Sequence, residues 1–390
     1  MGKATLQAFD VGEGDCVFLK LENNAITFSI MVDCGKFSEA VKRFVSEELG
    51  NHINLLIITH IDNDHIDGVK EMLKQIPDLF VDRIIFNCVQ ECNYSAGPHF
   101  PKERLASIKT RKDIHFPQPV NTNISAPSAL SLTELFLSNE NLKRAWATQQ
   151  NYLTSDCMAI SLPEGFGTLS FLSPEKSAIT KLDKNFRKAF NKEFYTKYNG
   201  PYDKEPTLYE LLLLAHEDKA TTQARKTISS VALSDKELIR IANEDVQTYL
   251  SPENIASLAF VWEAGDKRGL FCGDASPEVI VYQYLRKYHT PAGYACFEAI
   301  KVPHHGSENN CGSKFWETFD SQHIFVCGAS KRYGNPSIEC LSRIITRPTD
   351  EIRTIHYTTE SELMTKLDQT ELRHKFKFGL SKVCIHEFDY

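Results

Sequence analysis

The feature that most constrains this chain is a short apolar run that ends directly in a dense group of histidines and aspartates. The run Leu55-Leu-Ile-Ile-Thr59 is typical of a strand buried on both faces. The polar segment His60-Ile-Asp-Asn-Asp-His65 follows it, and apolar residues at helical spacing begin at Ile66. A further strand is predicted at residues 83–87. This order indicates a βαβ unit, and ligand sites in such sheets gather at the carboxyl ends of the strands.

Strand-like and helix-like segments alternate along the rest of the chain, which predicts an α/β architecture built in layers. Residues 5–35 alternate apolar and polar side chains between glycine-rich breaks, a pattern typical of β-hairpins. Ser38 predicts the start of a helix, and apolar residues at helical spacing continue to Gly50. Further strands are predicted at 169–174, 257–262, 269–274 and 323–328, with a helix near 276–288.

We expect a single domain that spans residues 1–390 and contains two insertions. Residues 90–150 are rich in Pro, Asn and Ser, which predicts a long loop or lid. Residues 175–250 are charged and mainly helical in pattern, which predicts a helical insertion. With 390 residues, of which 42% are hydrophobic, the chain has enough apolar material for a sizeable core.

The composition predicts a cytoplasmic protein that does not enter a membrane. The N-terminus has no apolar leader, and no run approaches the roughly 18 apolar residues needed to cross a bilayer. The 11 cysteines follow no disulfide framework, so we expect reduced thiols. A net charge of −7 argues against a surface that binds nucleic acid everywhere, but local basic clusters occur at 102–112 and 331–332.

The spacing His60-x-Asp62-x-Asp64-His65 brings four metal-ligand side chains into one turn. Alternate residues of an extended segment point the same way, so His60 and Asp62 can share one ion. Asp64 and His65 enter the helix and can serve a second ion. The carboxylate of Asp274 can bridge the two ions and hold them about 3.5–4 Å apart around one hydroxide. The alternative is that Asp62 and Asp64 only cap the following helix.

This segment resembles the HxHxDH signature of the metallo-β-lactamase superfamily, in the variant whose second histidine is aspartate. More narrowly, the chain resembles the ComEC-like branch, which comprises the hydrolase domain of DNA-uptake competence proteins and its free-standing relatives. Supporting blocks follow in order: Phe9-Asp-Val-Gly-Glu-Gly-Asp15, Val32-Asp-Cys-Gly35, Asn254-Ile-Ala-Ser257, Gly273-Asp274, Lys301-Val-Pro-His-His-Gly-Ser307 and Arg332-Tyr-Gly-Asn-Pro-Ser337. Residues 90–150 and 175–250 have no counterpart in this resemblance.

The resemblance implies an α/β fold, the αββα four-layer sandwich of two mixed β-sheets with helices on both outer faces and metals at one edge. The implied metal ligands are His60, Asp62, Asp64, His65, Asp274 and His305. One of His304 and His305 is expected to bind metal, and the other to donate a proton or contact a substrate phosphate. Together with Asp64, these two histidines are the expected catalytic residues. Asn335 stands where relatives carry histidine, and an amide cannot shuttle protons.

Two divalent metal ions are the expected cofactors. Histidine-rich sites favour zinc, whereas carboxylates shift the preference toward manganese, so zinc is the first choice and manganese the second. The preferred reaction is hydrolysis of a phosphodiester in DNA or RNA, because the resemblance points there and basic residues flank the cluster in sequence. The expected substrate contacts are Lys301, Ser307, Lys331, Arg332 and Asn335.

Other functions stay open at this point. A small-substrate esterase or lactonase of the same superfamily would have a narrow, apolar, capped cleft, whereas a nuclease would have an open basic groove. The chain could also be the effector subunit of a larger complex, for example in defence, and act only with a protein partner. The acidic total charge, the two insertions and Asn335 leave room for that alternative.

Overall fold

The fold is described by a computed structural model of the chain. The structure describes residues 2–87, 132, 135–136, 138–147, 149, 152–179, 233–244, 250–288, 294–330 and 333–390. The predicted lid at 90–150 and the predicted helical insertion at 175–250 lie largely outside the described residues. Within the second insertion, the described part contains a helix at Asp235–Ala242.

The first sheet has six strands, and one of them leads directly into the segment from His60 to His65. Its strands, numbered along the chain, are β1 (Lys3–Ala8), β2 (Val17–Asn23), β3 (Ile26–Val32), β4 (His52–Ile58), β5 (Phe80–Phe86) and β16 (Ile385–Asp389). Their order across the sheet is β16-β1-β2-β3-β4-β5. The pairs from β16 to β3 are antiparallel, and β3, β4 and β5 run parallel. The sheet is therefore mixed, as predicted.

The second sheet has eight strands and is also mixed. It consists of β6 (Ile160–Ser161), β7 (Thr168–Ser173), β8 (Ala259–Ala264), β9 (Lys267–Phe271), β11 (Ala299–Lys301), β13 (His323–Val326), β14 (Arg353–Tyr357) and β15 (Phe378–Ser381). The order is β15-β14-β13-β11-β9-β8-β7-β6, parallel from β9 to β15 and antiparallel from β6 to β9. A small parallel pair joins β10 (Ala295–Phe297) to β12 (Phe319–Ser321).

Helices cover the outer faces of both sheets. In the described part of the chain they are α1 (Glu39–Arg43), α2 (Asn63–Gln75), α3 (Glu140–Ala147), α4 (Asp235–Ala242), α5 (Pro252–Ile255), α6 (Pro277–Lys287), α7 (Ser313–Thr318), α8 (Ile338–Thr346), α9 (Glu362–Leu367) and α10 (Thr370–Phe376). The predicted N-cap at Ser38 is confirmed, because its hydroxyl accepts the amide hydrogen of Val41 at 3.4 Å. A π-helical turn at Phe44–Glu48 continues α1.

Alternation along the strands explains the four layers. In β4, Leu55 and Ile57 pack into the core between the two sheets, whereas Leu56 and Ile58 pack under the helices of the first sheet. A third cluster of buried residues lies between the second sheet and its own helices. Three apolar layers separate the two sheets and the two sets of helices. The predicted fold class, an αββα four-layer sandwich, is therefore confirmed.

None of the helices in the described part of the chain has the length and apolar character that crossing a bilayer requires.

Candidate metal centre

The predicted ligands meet at the carboxyl ends of neighbouring strands. His60 follows β4, Asp274 follows β9, and His304 with His305 follows β11. His65 lies in the first turn of α2 and is fully buried. Because the parallel strands of both sheets end at the same edge of the sandwich, side chains far apart in sequence reach one point.

Asp274 lies at the centre of this group. Its Oδ2 atom is 3.8 Å from Nε2 of His60 and 3.5 Å from Nε2 of His65. The same oxygen is 3.6 Å from Nε2 of both His304 and His305. One carboxylate oxygen therefore faces four imidazole nitrogens.

Asp62 and Asp64 lie close to different histidines of the group. Oδ2 of Asp62 lies 3.5 Å from Nε2 of His60. Oδ2 of Asp64 lies 3.3 Å from Nε2 of His305 and 3.9 Å from that of His65. Atoms of His60, His65 and Asp274 form one set compatible with a metal ion, and atoms of Asp64, His65 and His305 form another.

Hydrogen bonds determine which ring nitrogen of His65 and His60 faces the centre. Nδ1 of His65 lies 2.8 Å from the carboxylate of Asp33, which can only accept, so Nδ1 carries the hydrogen. Thr59 donates its hydroxyl hydrogen to Asp33 at 2.6 Å, which leaves its oxygen to accept from Nδ1 of His60 at 3.0 Å. In both rings the Nε2 lone pair then points toward Asp274.

The same logic holds for His305 and His304. Nδ1 of His305 donates to the carbonyl oxygen of Cys327 at 2.9 Å. Asn310 donates both amide hydrogens to the carbonyl oxygens of Asp274 and Ala275, each at 3.0 Å, so its oxygen faces Nδ1 of His304 at 2.8 Å. Nδ1 of His304 also lies 3.1 Å from the side-chain nitrogen of Asn254, so Asn310 and Asn254 together hold this ring. The Nε2 atoms of His304 and His305 face Asp274.

Several buried polar atoms at this centre have no hydrogen-bond partner among the described residues. They include Nε2 of His60, His65 and His305, together with one oxygen each of Asp62 and Asp274. Asp62 precedes α2, yet its side chain makes no capping hydrogen bond with the described helix. Unpaired buried polar groups cost about 1–3 kcal/mol each, so the convergence of this many indicates a site suited to a cation. The donor set of imidazole nitrogens and carboxylate oxygens fits divalent metal ions.

The charges of the cluster support one another. Burial by itself raises the pKa of Asp274, but His304, His65 and His305 outweigh it and hold this pKa well below the usual range. Burial likewise opposes ionisation of Asp64, but His65 and His305 lower its pKa. Burial disfavours a charged His305, whereas Asp274 and Asp15 raise its pKa to about 10. The carboxylates are therefore ionised at neutral pH, which is the state that binds metal, whereas His305 holds a proton that a bound cation would displace.

The backbone is strained where it presents these side chains. His304 and His305 have φ values of 45° and 54°, in the left-handed region that side chains rarely adopt. Asp33, which anchors His65, has φ of 57°. Such conformations cost about 1–3 kcal/mol each and cluster at functional sites.

Two glycines hold the turn that carries Asp64. A Cβ atom on Gly14 would lie 1.7 Å from the carbonyl oxygen of Asp64, and one on Gly35 would lie 2.1 Å from it. The amide of Asp15 donates to the same carbonyl at 3.3 Å. Only glycine permits this close approach of two loops.

Not all expected substrate contacts lie at an accessible position. Lys301 is 3% exposed and forms an ion pair with Asp15, and it donates to the carbonyl of Gly273 at 3.1 Å. Ser307 is buried and accepts the amide hydrogen of Asn309 at 3.3 Å. Asn335 is buried, and its backbone pairs with Ser330. Lys331 and Arg332 lie outside the described residues.

Sequence reasoning did not assign site roles to Asp15, Asp33, Thr59 or Asn310. Asp15 and Asp33 stand inside the Gly-Asp and Asp-Cys-Gly blocks noted above, so their places at strand ends were a usable signal. Thr59 and Asn310 have no signal of this kind, because their roles depend on contacts with residues from other elements.

Comparisons with known proteins give structural similarities only. No family model matches the chain, and no curated protein matches it. The chain is similar to the metallo-β-lactamase fold protein YhfI from Bacillus subtilis, with 8% identity, a TM-score of 0.37 and 100% coverage of both chains. It is also similar to a mutant of the CmlA β-hydroxylase, with 11% identity, a TM-score of 0.38, and coverage of 99% of this chain and 54% of that chain.

The fold and the cluster together define a class: a four-layer αββα protein that carries a buried histidine–aspartate centre with the donor set of a divalent-metal site.

Proposed function

We propose that this chain is a metal-dependent hydrolase of the metallo-β-lactamase superfamily type, in its ComEC-like branch, and that it uses two divalent ions. The observation that carries the proposal is the convergence of four Nε2 atoms on Asp274, with the Nδ1 atom of each ring already engaged. A group of merely structural histidines would have both nitrogens satisfied by protein partners or water.

In this proposal the ligands form two sets that share Asp274. His60 and Asp62 hold the first ion, and Asp64, His65 and His305 hold the second. Bound there, two divalent ions would supply a hydroxide at neutral pH and polarise the reacting bond. Zinc is our first choice because of the histidines, and manganese is the second because of the carboxylates.

His304 is the residue we propose as proton donor to the leaving group. Its side chain is 25% exposed, whereas those of His60, His65 and His305 are 2%, 0% and 4% exposed. It is therefore the histidine that a substrate can reach. Its Nδ1 contact with Asn310 keeps the ring oriented while Nε2 exchanges the proton.

A phosphodiester in DNA or RNA is the proposed substrate. Support comes from the sequence resemblance and from the basic residues Lys331 and Arg332, which flank the ligand cluster in sequence. Lys301 is too deeply buried to contact a substrate directly. A role in the cytoplasm is supported by the cysteines, because all nine in the described part of the chain are free thiols.

A cleavage panel tests this proposal. Purified protein is incubated with zinc or manganese and with single-stranded DNA, duplex DNA, RNA and a chromogenic phosphodiester, alongside a carboxylic ester and a lactone. Cleavage of at least one phosphodiester is expected, with loss of at least about 100-fold in His65→Ala and Asp64→Ala. Hydrolysis of only the ester or lactone would favour the small-substrate alternative. Activity that appears only with an added protein partner would favour the effector-subunit alternative.

His52→Ala is the matched control for this panel. His52 also pairs with an aspartate, at 3.0 Å from Asp82, but both side chains are exposed and lie in the amino-terminal halves of their strands. It should retain full activity. Equal losses in His52→Ala and His65→Ala would show that the effect is not specific to the centre.

A further inference from the structure

The buried pair of Lys301 and Asp15 lies directly behind the proposed metal ligands. Both side chains are 3% exposed, and the ammonium contacts a carboxylate oxygen of Asp15. Nζ also lies 3.9 Å from Oδ1 of Asp274, the oxygen of the shared ligand that has no hydrogen-bond partner among the described residues. Lys301 therefore lies between the carboxylates of Asp15 and Asp274, and Asp274 is the proposed shared metal ligand.

The net charge of the centre matches two divalent ions. The carboxylates within it are Asp15, Asp33, Asp62, Asp64 and Asp274. With the histidines neutral, as metal binding requires, these carboxylates and the single ammonium of Lys301 leave four negative charges, the number that two divalent cations neutralise. A buried charge destabilises the protein unless an opposite charge compensates it, so binding of two divalent ions should stabilise this centre.

Asp15 determines where the ammonium sits. Its Oδ2 atom binds Lys301, while its Oδ1 atom lies 3.1 Å from Nδ1 of His305. If Asp15 carried no charge, the strongest remaining attraction on Lys301 would be Asp274, already 3.9 Å away. The ammonium would then compete with the metal ions for the shared carboxylate.

We propose that Asp15 is a positioning residue that keeps Lys301 away from Asp274, and that the Lys301–Asp15 pair sets the charge of the centre for two divalent ions. This inference rests on the proposed function, because it concerns the loading of the same centre. In this proposal Lys301 adjusts the charge of the metal centre and does not contact the substrate.

Three variants separate this role from a general loss of stability. Asp15→Asn preserves size and an acceptor oxygen for His305, which also keeps its bond to the Cys327 carbonyl. It should lower the affinity for the second ion by about 10–100-fold, in the range typical of residues that support metal ligands. Lys301→Met should bind two ions at least as tightly as the natural chain, while its metal-free form is less stable. The double variant should recover the affinity that Asp15→Asn loses.

The measurement is competitive titration of zinc and of manganese against a chelating dye, with metal counted per chain and thermal unfolding recorded with and without metal. Lys267→Met, which breaks a remote ion pair with Glu298, serves as the matched control and should change neither affinity nor stoichiometry. The inference fails if Asp15→Asn binds two ions like the natural chain, or if the double variant binds as weakly as Asp15→Asn. A natural chain that binds no divalent ion would overturn the proposed function itself, and the inference with it.

Discussion

Asp33 and His65 are joined by a hydrogen bond of 2.8 Å between two fully buried side chains, although 32 positions separate them in the sequence. Asp33 also receives the hydroxyl hydrogen of Thr59, which in turn orients His60. One carboxylate therefore fixes the ring orientation of a histidine in each proposed ligand set. The two sets share this support as well as Asp274.

Asp33→Asn should weaken both ion positions at once. Oδ2 of Asp33 accepts from both the Thr59 hydroxyl and Nδ1 of His65, while Oδ1 accepts the amide hydrogen of Thr59. An amide keeps only one of these two oxygens, so either the two rings or the Thr59 backbone loses its acceptor. We expect metal affinity to fall by about 10–100-fold, measured by titration with a chelating dye. Asp82→Asn, a change at an exposed aspartate that contacts His52, is the control. Unchanged affinity in Asp33→Asn would contradict the proposed arrangement.

Asn310→Ala should affect His304 and the loop of Asp274 together. The substitution removes the acceptor for Nδ1 of His304 and leaves two buried carbonyl oxygens without their donor. We expect a loss of about 1–3 kcal/mol in the free energy of unfolding and a lower kcat on the substrate that the cleavage panel identifies. Asn309→Ala, one position earlier, should leave both quantities near those of the natural chain. Equal effects in the two variants would refute this role for Asn310.

Gly14→Ala should displace the turn that carries Asp64. The added methyl group would lie 1.7 Å from the Asp64 carbonyl oxygen, so one of the two loops must move. We expect the protein to lose about 3 kcal/mol of stability and to bind less metal, as measured by chemical denaturation and metal analysis. Gly379→Ala is the control, because nothing lies within 4 Å of its Cβ position. A Gly14→Ala variant that keeps full stability would contradict the close contact.

A stack of histidines far from the metal centre predicts a loss of stability in acid. The rings of His323 and His386 lie 3.6 Å apart, and Nδ1 of His323 lies 3.1 Å from Nε2 of His356. Burial and the neighbouring histidines lower the pKa of His323 to about 4, and burial with His356 lowers the pKa of His386 to about 4. The folded state thus favours the neutral rings, with pKa values below those of the unfolded chain.

This difference in pKa determines whether stability rises or falls with pH. Stability from the neutral rings is fully present above about pH 6.5, the unfolded pKa, and is lost as the pH falls toward 4. Because partial exposure screens the charges, His386→Phe should abolish about 1 kcal/mol of the loss between pH 7 and pH 5. Denaturant unfolding at both pH values measures it, with the exposed His374→Phe as control. An unaltered pH dependence in His386→Phe would count against the stack as its source.

The sequence predicts those parts of the fold and site that depend on neighbouring residues. Alternation and helical spacing identify the β4–α2 unit, and the His60–His65 spacing identifies candidate ligands, because periodicity and turn chemistry are local. The Ser38 cap and the helix near residue 277 follow from the same kind of signal.

Local sequence patterns do not predict contacts between residues that are far apart in the sequence. Lys301 was predicted to contact substrate because it flanks the cluster in sequence. In the structure it is buried against Asp15, which comes from the opposite end of the chain. Asn310 contacts Asp274 and His304 from a separate turn, and no periodic pattern in the sequence predicts these contacts. At Asp62 the sequence pattern fits both a helix cap and a metal ligand. Only the structure shows that its side chain makes no capping hydrogen bond with the described helix.

The most direct test of the account is anomalous X-ray diffraction from crystals grown with zinc or manganese, recorded at the absorption edge of the added metal. The account predicts two peaks about 3.5–4 Å apart, both beside Asp274, one next to His60 and the other next to His65 and His305. Absence of any peak at Asp274, or peaks only at surface histidines such as His52, would contradict it.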